Sequence, residues 1–150
     1  MKRLILLCLL CLGCGGGGGG GGDNDTFAGV WRGTLRIAKN NCNFPVDQQF
    51  QSTLTVNQSG TDAAIRTPSG NDFNGTSPNR EELTANKVEI VSCGGNVTAQ
   101  DFYTITMNRG AGDLYDSEVA TVTISDVSQC DGSLLRCELV YTGTFSRDDS

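Results

Sequence analysis

The chain has 150 residues, 17 of them acidic and 11 basic, and it contains no histidine. The missing imidazole excludes Ser-His-Asp and Cys-His catalysis and removes the commonest transition-metal ligand. A net charge of −6 with no basic patch argues against a nucleic-acid partner.

In chain order, Met1-Lys2-Arg3 is a short basic start and Leu4 to Leu12 an unbroken apolar run. That pattern predicts a secretory signal peptide at residues 1–13. The run is too short for a transmembrane helix, which needs about 20 apolar residues. Gly13-Cys14 closes it, and the stretch Leu10-Cys11-Leu12-Gly13-Cys14 resembles the lipobox of bacterial lipoproteins, with Cys11 standing where leucine is usual. The resemblance implies that Cys14 becomes the mature N-terminus and carries a thioether-linked diacylglycerol, often with a third acyl chain such as palmitate. Two or more chains hold a protein stably on a bilayer without spanning it. It also implies an outer-membrane address, because Gly15 is not the aspartate associated with inner-membrane retention.

Gly15 to Gly22 is an unbroken glycine run. With no side chains to bury, residues 14–26 are expected to form a flexible tether with a reach of about 15–20 Å. Without Lys2 and Arg3, the mature form keeps nine basic residues against 17 acidic ones, a net charge of −8. Such a charge keeps a domain soluble and also attracts basic proteins.

Residues 27–147 are expected to form a single domain. Phe27 to Ala38 alternates, with Phe27, Gly29, Trp31, Gly33, Leu35 and Ile37 on one face and Arg32, Thr34 and Arg36 on the other. Gln48 to Gln58 alternates through Phe50, Leu54 and Val56, and Ser59-Gly60-Thr61-Asp62 turns the chain into Ala63–Thr67. A short strand is expected around Phe73, then a polar loop from Thr76 to Glu82, and then a strand over Lys87–Cys93 with Val88 and Ile90 on one face. Val97–Asn108 aligns Tyr103, Ile105 and Met107; Arg109 to Asp113 reads as a loose turn. Glu118–Asp126 aligns Ala120, Val122 and Ile124, and Leu134–Ser146 aligns Leu135, Cys137, Leu139, Tyr141, Gly143 and Phe145. About eight strands at hairpin spacing, with no helical periodicity, predict an all-β fold: a small antiparallel up-and-down barrel, or alternatively a β-sandwich. Long first and last strands that can pair, and glycines where strands can bend, favour the barrel.

Cys8, Cys11 and Cys14 fall in the export segment, leaving Cys42, Cys93, Cys130 and Cys137. Four cysteines in an exported chain predict two disulfides, with three possible connectivities. The Asp131-Gly132 turn favours Cys130–Cys137, which leaves Cys42–Cys93. No two of the four have the close spacing that structural zinc prefers.

Gly29-Val30-Trp31 on the first strand, with Arg147 just after the last, resembles the Gly-X-Trp signature of the lipocalin and calycin barrels. The resemblance implies that Trp31 packs under Arg147 to seal one end, as barrel-closure residues with Gly29, and that a small apolar ligand sits inside. The carboxylate groupings Glu81-Glu82, Asp113/Asp116/Glu118 and Asp148-Asp149 fall in loops, beside a strand or on the tail. No Gly-X-Ser-X-Gly elbow occurs. No catalytic residue, metal or cofactor is expected. The expectation is therefore a lipid-anchored cell-envelope protein with a non-enzymatic binding barrel. The alternatives are a protein-binding module, such as an inhibitor of a basic envelope hydrolase, and a passive structural lipoprotein.

Overall fold

The computed structural model describes residues 26–42, 45–94, 97–130 and 136–148; the signal segment, Cys14 and the glycine run lie outside these. Eight strands follow one another: β1 (Gly29–Asn40), β2 (Gln49–Ser59), β3 (Asp62–Arg66), β4 (Asp72–Thr76), β5 (Glu82–Gly94), β6 (Val97–Asn108), β7 (Val119–Cys130) and β8 (Arg136–Asp148). Each pairs antiparallel with the next, and β8 pairs back onto β1, so the sheet closes into a barrel. Every strand has a hydrogen-bonded neighbour on both sides, which settles the choice between barrel and sandwich. One turn of 3-10 helix, Gly112–Leu114, lies between β6 and β7.

The side-chain period of two places one face of every strand inside. Trp31, Leu35, Leu54, Val56, Ile65, Leu83, Ala85, Ile105, Met107, Val122 and Phe145 form the fully or almost fully buried core, with Phe27 joining from the lead-in to β1. Gly33 and Gly143 make the β1–β8 seam possible. A Cβ on Gly33 would run into the Phe145 ring and the Thr144 carbonyl, and one on Gly143 into the Thr34 carbonyl. Both glycines therefore serve close approach rather than turning.

Two strands are longer than the alternation predicts. β5 starts at Glu82 instead of Lys87, because Leu83 and Ala85 register against Met107 and Ile105 of β6. Pairing with a long neighbour overrides the weak strand preference of Thr84-Ala85-Asn86. β7 continues past Asp126 to Cys130 along the same neighbour. That register also decides which face is inward. Val88 and Ile90 share a face as expected, but it is the outer one, 56% and 75% exposed. A strand with Leu83 and Ala85 inside has its even-numbered residues outside.

Candidate functional site

The two barrel ends differ in construction. One end gathers the start of β1, the β2–β3 turn and the loops between β4 and β5 and between β6 and β7. The other gathers the loop after β1, the β3–β4 turn and the ends of β5 and β7.

At the first end the lead-in Thr26-Phe27 lies under the core. Trp31 Nε1 donates a hydrogen bond of 2.8 Å to the Phe27 carbonyl, and the two rings sit 6.1 Å apart. Arg147 stands directly opposite Trp31 in the β1–β8 ladder, its guanidinium carbon 5.3 Å from the indole centroid. Gly29 lies beside the Arg147 stem at φ +135°, a conformation that favours glycine. Arg109, which the sequence places in a loose turn, is a second buried cation here. Its guanidinium carbon lies 4.1 Å from the Phe27 centroid and 5.2 Å from that of Trp31. Both arginines donate to the Thr26 carbonyl, Arg109 over 2.6 Å. Glu118 lies 3.8 Å from Arg147 Nε. Burial first, and the Arg147 charge second, hold the Arg109 pKa below the ordinary arginine value. Cation–π contacts and carbonyl acceptors compensate two desolvated cations, and together they plug this end.

The opposite end is open. Phe50 and Tyr141 meet edge to face at 5.0 Å, and Phe50 remains 37% exposed. A hollow of about 360 Å³ is lined by Phe50, Ser52, Thr67, Pro68, Asn71 and Ile124. Such a volume and lining suit a small ligand. Tyr103 packs edge-on to Phe73 at 6.4 Å and donates a hydrogen bond of 3.3 Å to Asp101 Oδ2.

Asp101 and Asp126 continue the inward series of β6 and β7, next to Tyr103 and Ile124. Asp101 is only 8% exposed. Burial, followed by the charges of Asp101 and Glu89, pushes Asp126 up to about 6. Burial and then Asp126 and Asp101 push the Tyr103 hydroxyl well above its usual range, keeping it a donor. On β5, Lys87 pairs with Glu89 and donates to Asn71 over 2.7 Å.

The disulfide joins Cys42 to Cys137, with Cα atoms 4.6 Å apart, rather than Cys130 to Cys137 or Cys42 to Cys93. The reason is long-range: the loop after β1 folds against the start of β8, where Asn41 N–H donates to the Glu138 carbonyl over 3.1 Å and Lys39 pairs with Glu138 at 2.7 Å. Cys93 and Cys130 sit at the open-end termini of β5 and β7, and their side chains lie outside the described residues.

The loop carboxylates have local duties. Asp116 accepts from the Glu118 N–H over 2.8 Å, and Asp148 pairs with Arg32 at 2.8 Å. Among the described residues, no group of three or more Asp, Glu, Cys or His could hold a metal ion. No family model, curated protein or solved structure matches the chain.

Sequence reasoning passed over Arg109, Asp101 and Asp126. The signal was present in each case. All three continue an inward alternation (Tyr103-Ile105-Met107 in both directions, Ala120-Val122-Ile124 forward) where a charge has no place in an ordinary core.

Proposed function

We propose that this chain is a lipid-anchored cell-envelope protein whose barrel binds a small ligand, without catalysis, through its open mouth. The observation that carries the reading is the asymmetry of the interior. One end is filled by Phe27, Trp31, Phe145 and two arginines, while the other keeps a hollow floored by Ile124 and edged by a half-exposed aromatic pair. The filled half supplies rigidity to the walls that would grip a ligand, which is how a preorganised site limits the entropy cost of binding. The lipobox resemblance at Cys14 supplies the anchor, and the glycine run the spacing from the bilayer.

Native mass spectrometry of the full chain, purified gently from an oxidising periplasm, tests the binding half of the reading. A stoichiometric small-molecule adduct is expected; a bare chain that also takes up no small aromatic probe would contradict it. Fractionation tests the anchor. Cys14→Ser is expected to move the protein to the soluble fraction, and persistence in the membrane would refute lipidation.

A further inference from the structure

Asp101 and Asp126 face inward on neighbouring strands, one register step apart: Tyr103 lies opposite Asp126, and Asp101 opposite Ser128. More than nine-tenths of Asp101 is buried, and only its Oδ2 has a protein donor, the Tyr103 hydroxyl. Asp101 Oδ1 and Asp126 Oδ1 are both buried with no hydrogen-bond partner. An acceptor left in that state costs free energy, and a carboxylate costs more than a neutral group. Among the described residues, no cation is paired with either carboxylate. Lys87, on β5, is held by Glu89 and Asn71. The other titratable groups beside the pair are Glu89 from β5 and Tyr103 from β6, while Leu139 of β8 lies opposite Asp126; none brings positive charge.

Two unmet acceptors, one of them two residues along β7 from the Ile124 wall of an aromatic-edged hollow, call for a donor that is positively charged and attached to an apolar body. A protonated amine has up to three donors on one compact charge, enough to reach both oxygens. Metal coordination is the weaker fit, because the pair lacks a third ligand in a metal-holding group among the described residues. Along β7, Asp126 lies two residues beyond Ile124, about 7 Å at the rise of a strand. An amine on a short arm from an aromatic ring spans that distance, and a hollow of about 360 Å³ accepts one ring.

Resting on the reading that the open mouth is the binding site, we infer that its ligand is a small organic amine, the ammonium seated between Asp101 and Asp126 and the apolar body lying toward Ile124 and Phe50. With Asp126 pushed up to about 6, its own share of the negative charge is complete only above that pH.

Three water-soluble probes of one shape test this by calorimetry on the full chain at pH 7.5: 2-phenylethylamine, 2-phenylethanol and phenylacetate. The amine is expected to bind roughly 10–100-fold tighter than the alcohol, the range set by a charge-assisted hydrogen bond, with phenylacetate weakest. The double variant Asp101→Asn/Asp126→Asn, near-isosteric and therefore able to fold, should erase the preference while leaving the alcohol's affinity in place. The amine preference should also shrink in the wild type as pH falls below 6. Equal affinity for the three probes overturns the amine inference and leaves the binding mouth standing. A preference that survives in the double variant overturns the seat at Asp101 and Asp126. Failure of all three probes to bind overturns both the inference and the binding reading beneath it.

Discussion

The two ends of the barrel handle buried charge in opposite ways. At the sealed end, Arg109 and Arg147 are desolvated against Phe27 and Trp31, and both donate to the Thr26 carbonyl. At the open end, Asp101 and Asp126 are taken from water with two carboxylate oxygens unmet. The first arrangement sets an acid, aromatic faces and a backbone carbonyl around its cations. The second costs the fold stability and becomes favourable only when something supplies positive charge. The contrast is one of charge: at the sealed end cations meet an acid, aromatic faces and a carbonyl, whereas at the open end the two carboxylates lie beside a third acid, Glu89.

Substitutions at each end sharpen this contrast. The largest effect is expected at the sealed end: Trp31→Ala should cost about 3–5 kcal/mol in denaturant unfolding, through lost burial and the cavity left behind. A loss below about 1 kcal/mol would mean that this end is not the packed one. Next, Cys42→Ser should cost about 2–5 kcal/mol, since its partner Cys137 lies 95 residues away. Peptide mapping of the non-reduced chain should recover Cys42 linked to Cys137, and Cys130→Ser should leave that link intact. Recovery of Cys130 linked to Cys137 would contradict the Cys42–Cys137 assignment. Arg109→Met should cost about 1–3 kcal/mol, because a similar volume is kept while the cation–π contact and the donors to backbone carbonyls are lost.

The smallest effect has the opposite sign. The folded pKa of Asp126, about 6, exceeds the unfolded aspartate value. The folded state therefore holds more protons than the unfolded state between about pH 4 and pH 6, and this group's contribution falls as pH rises through that window. Asp126→Asn should thus stabilise the chain by on the order of 1 kcal/mol at pH 7, after allowing for the solvent that reaches the site, and by nothing below about pH 4. Destabilisation at neutral pH would show that the carboxylate is compensated after all.

Much of the fold was legible because local periodicity carries it. Trp31, Leu35, Leu54, Val56, Ile105, Val122 and Phe145 were all assignable from alternation alone, and the barrel followed from the number and spacing of strands. What alternation could not supply was the position of one strand relative to another. Val88 and Ile90 are readable as sharing a face, but only the Leu83–Met107 register shows that it is the outer one. Cys42 finds Cys137 only because β8 returns to β1, a contact no turn motif announces. The sealed end was half readable: Gly29, Trp31 and Arg147 stand in a pattern, whereas Arg109 hid in a glycine-rich turn whose local chemistry suggested a loop. Asp101 and Asp126 were visible as charges at inward positions, and their significance depends on being neighbours, which only the β6–β7 ladder establishes.

Chemical-shift mapping of the isotope-labelled full chain with 2-phenylethylamine tests the contrast between the ends most directly. The account predicts saturable shifts at Phe50, Asp101, Tyr103, Ile124, Asp126 and Tyr141, with Phe27, Trp31, Arg109 and Arg147 unmoved. Shifts centred on the Trp31 end, or none anywhere at saturating probe, would contradict it.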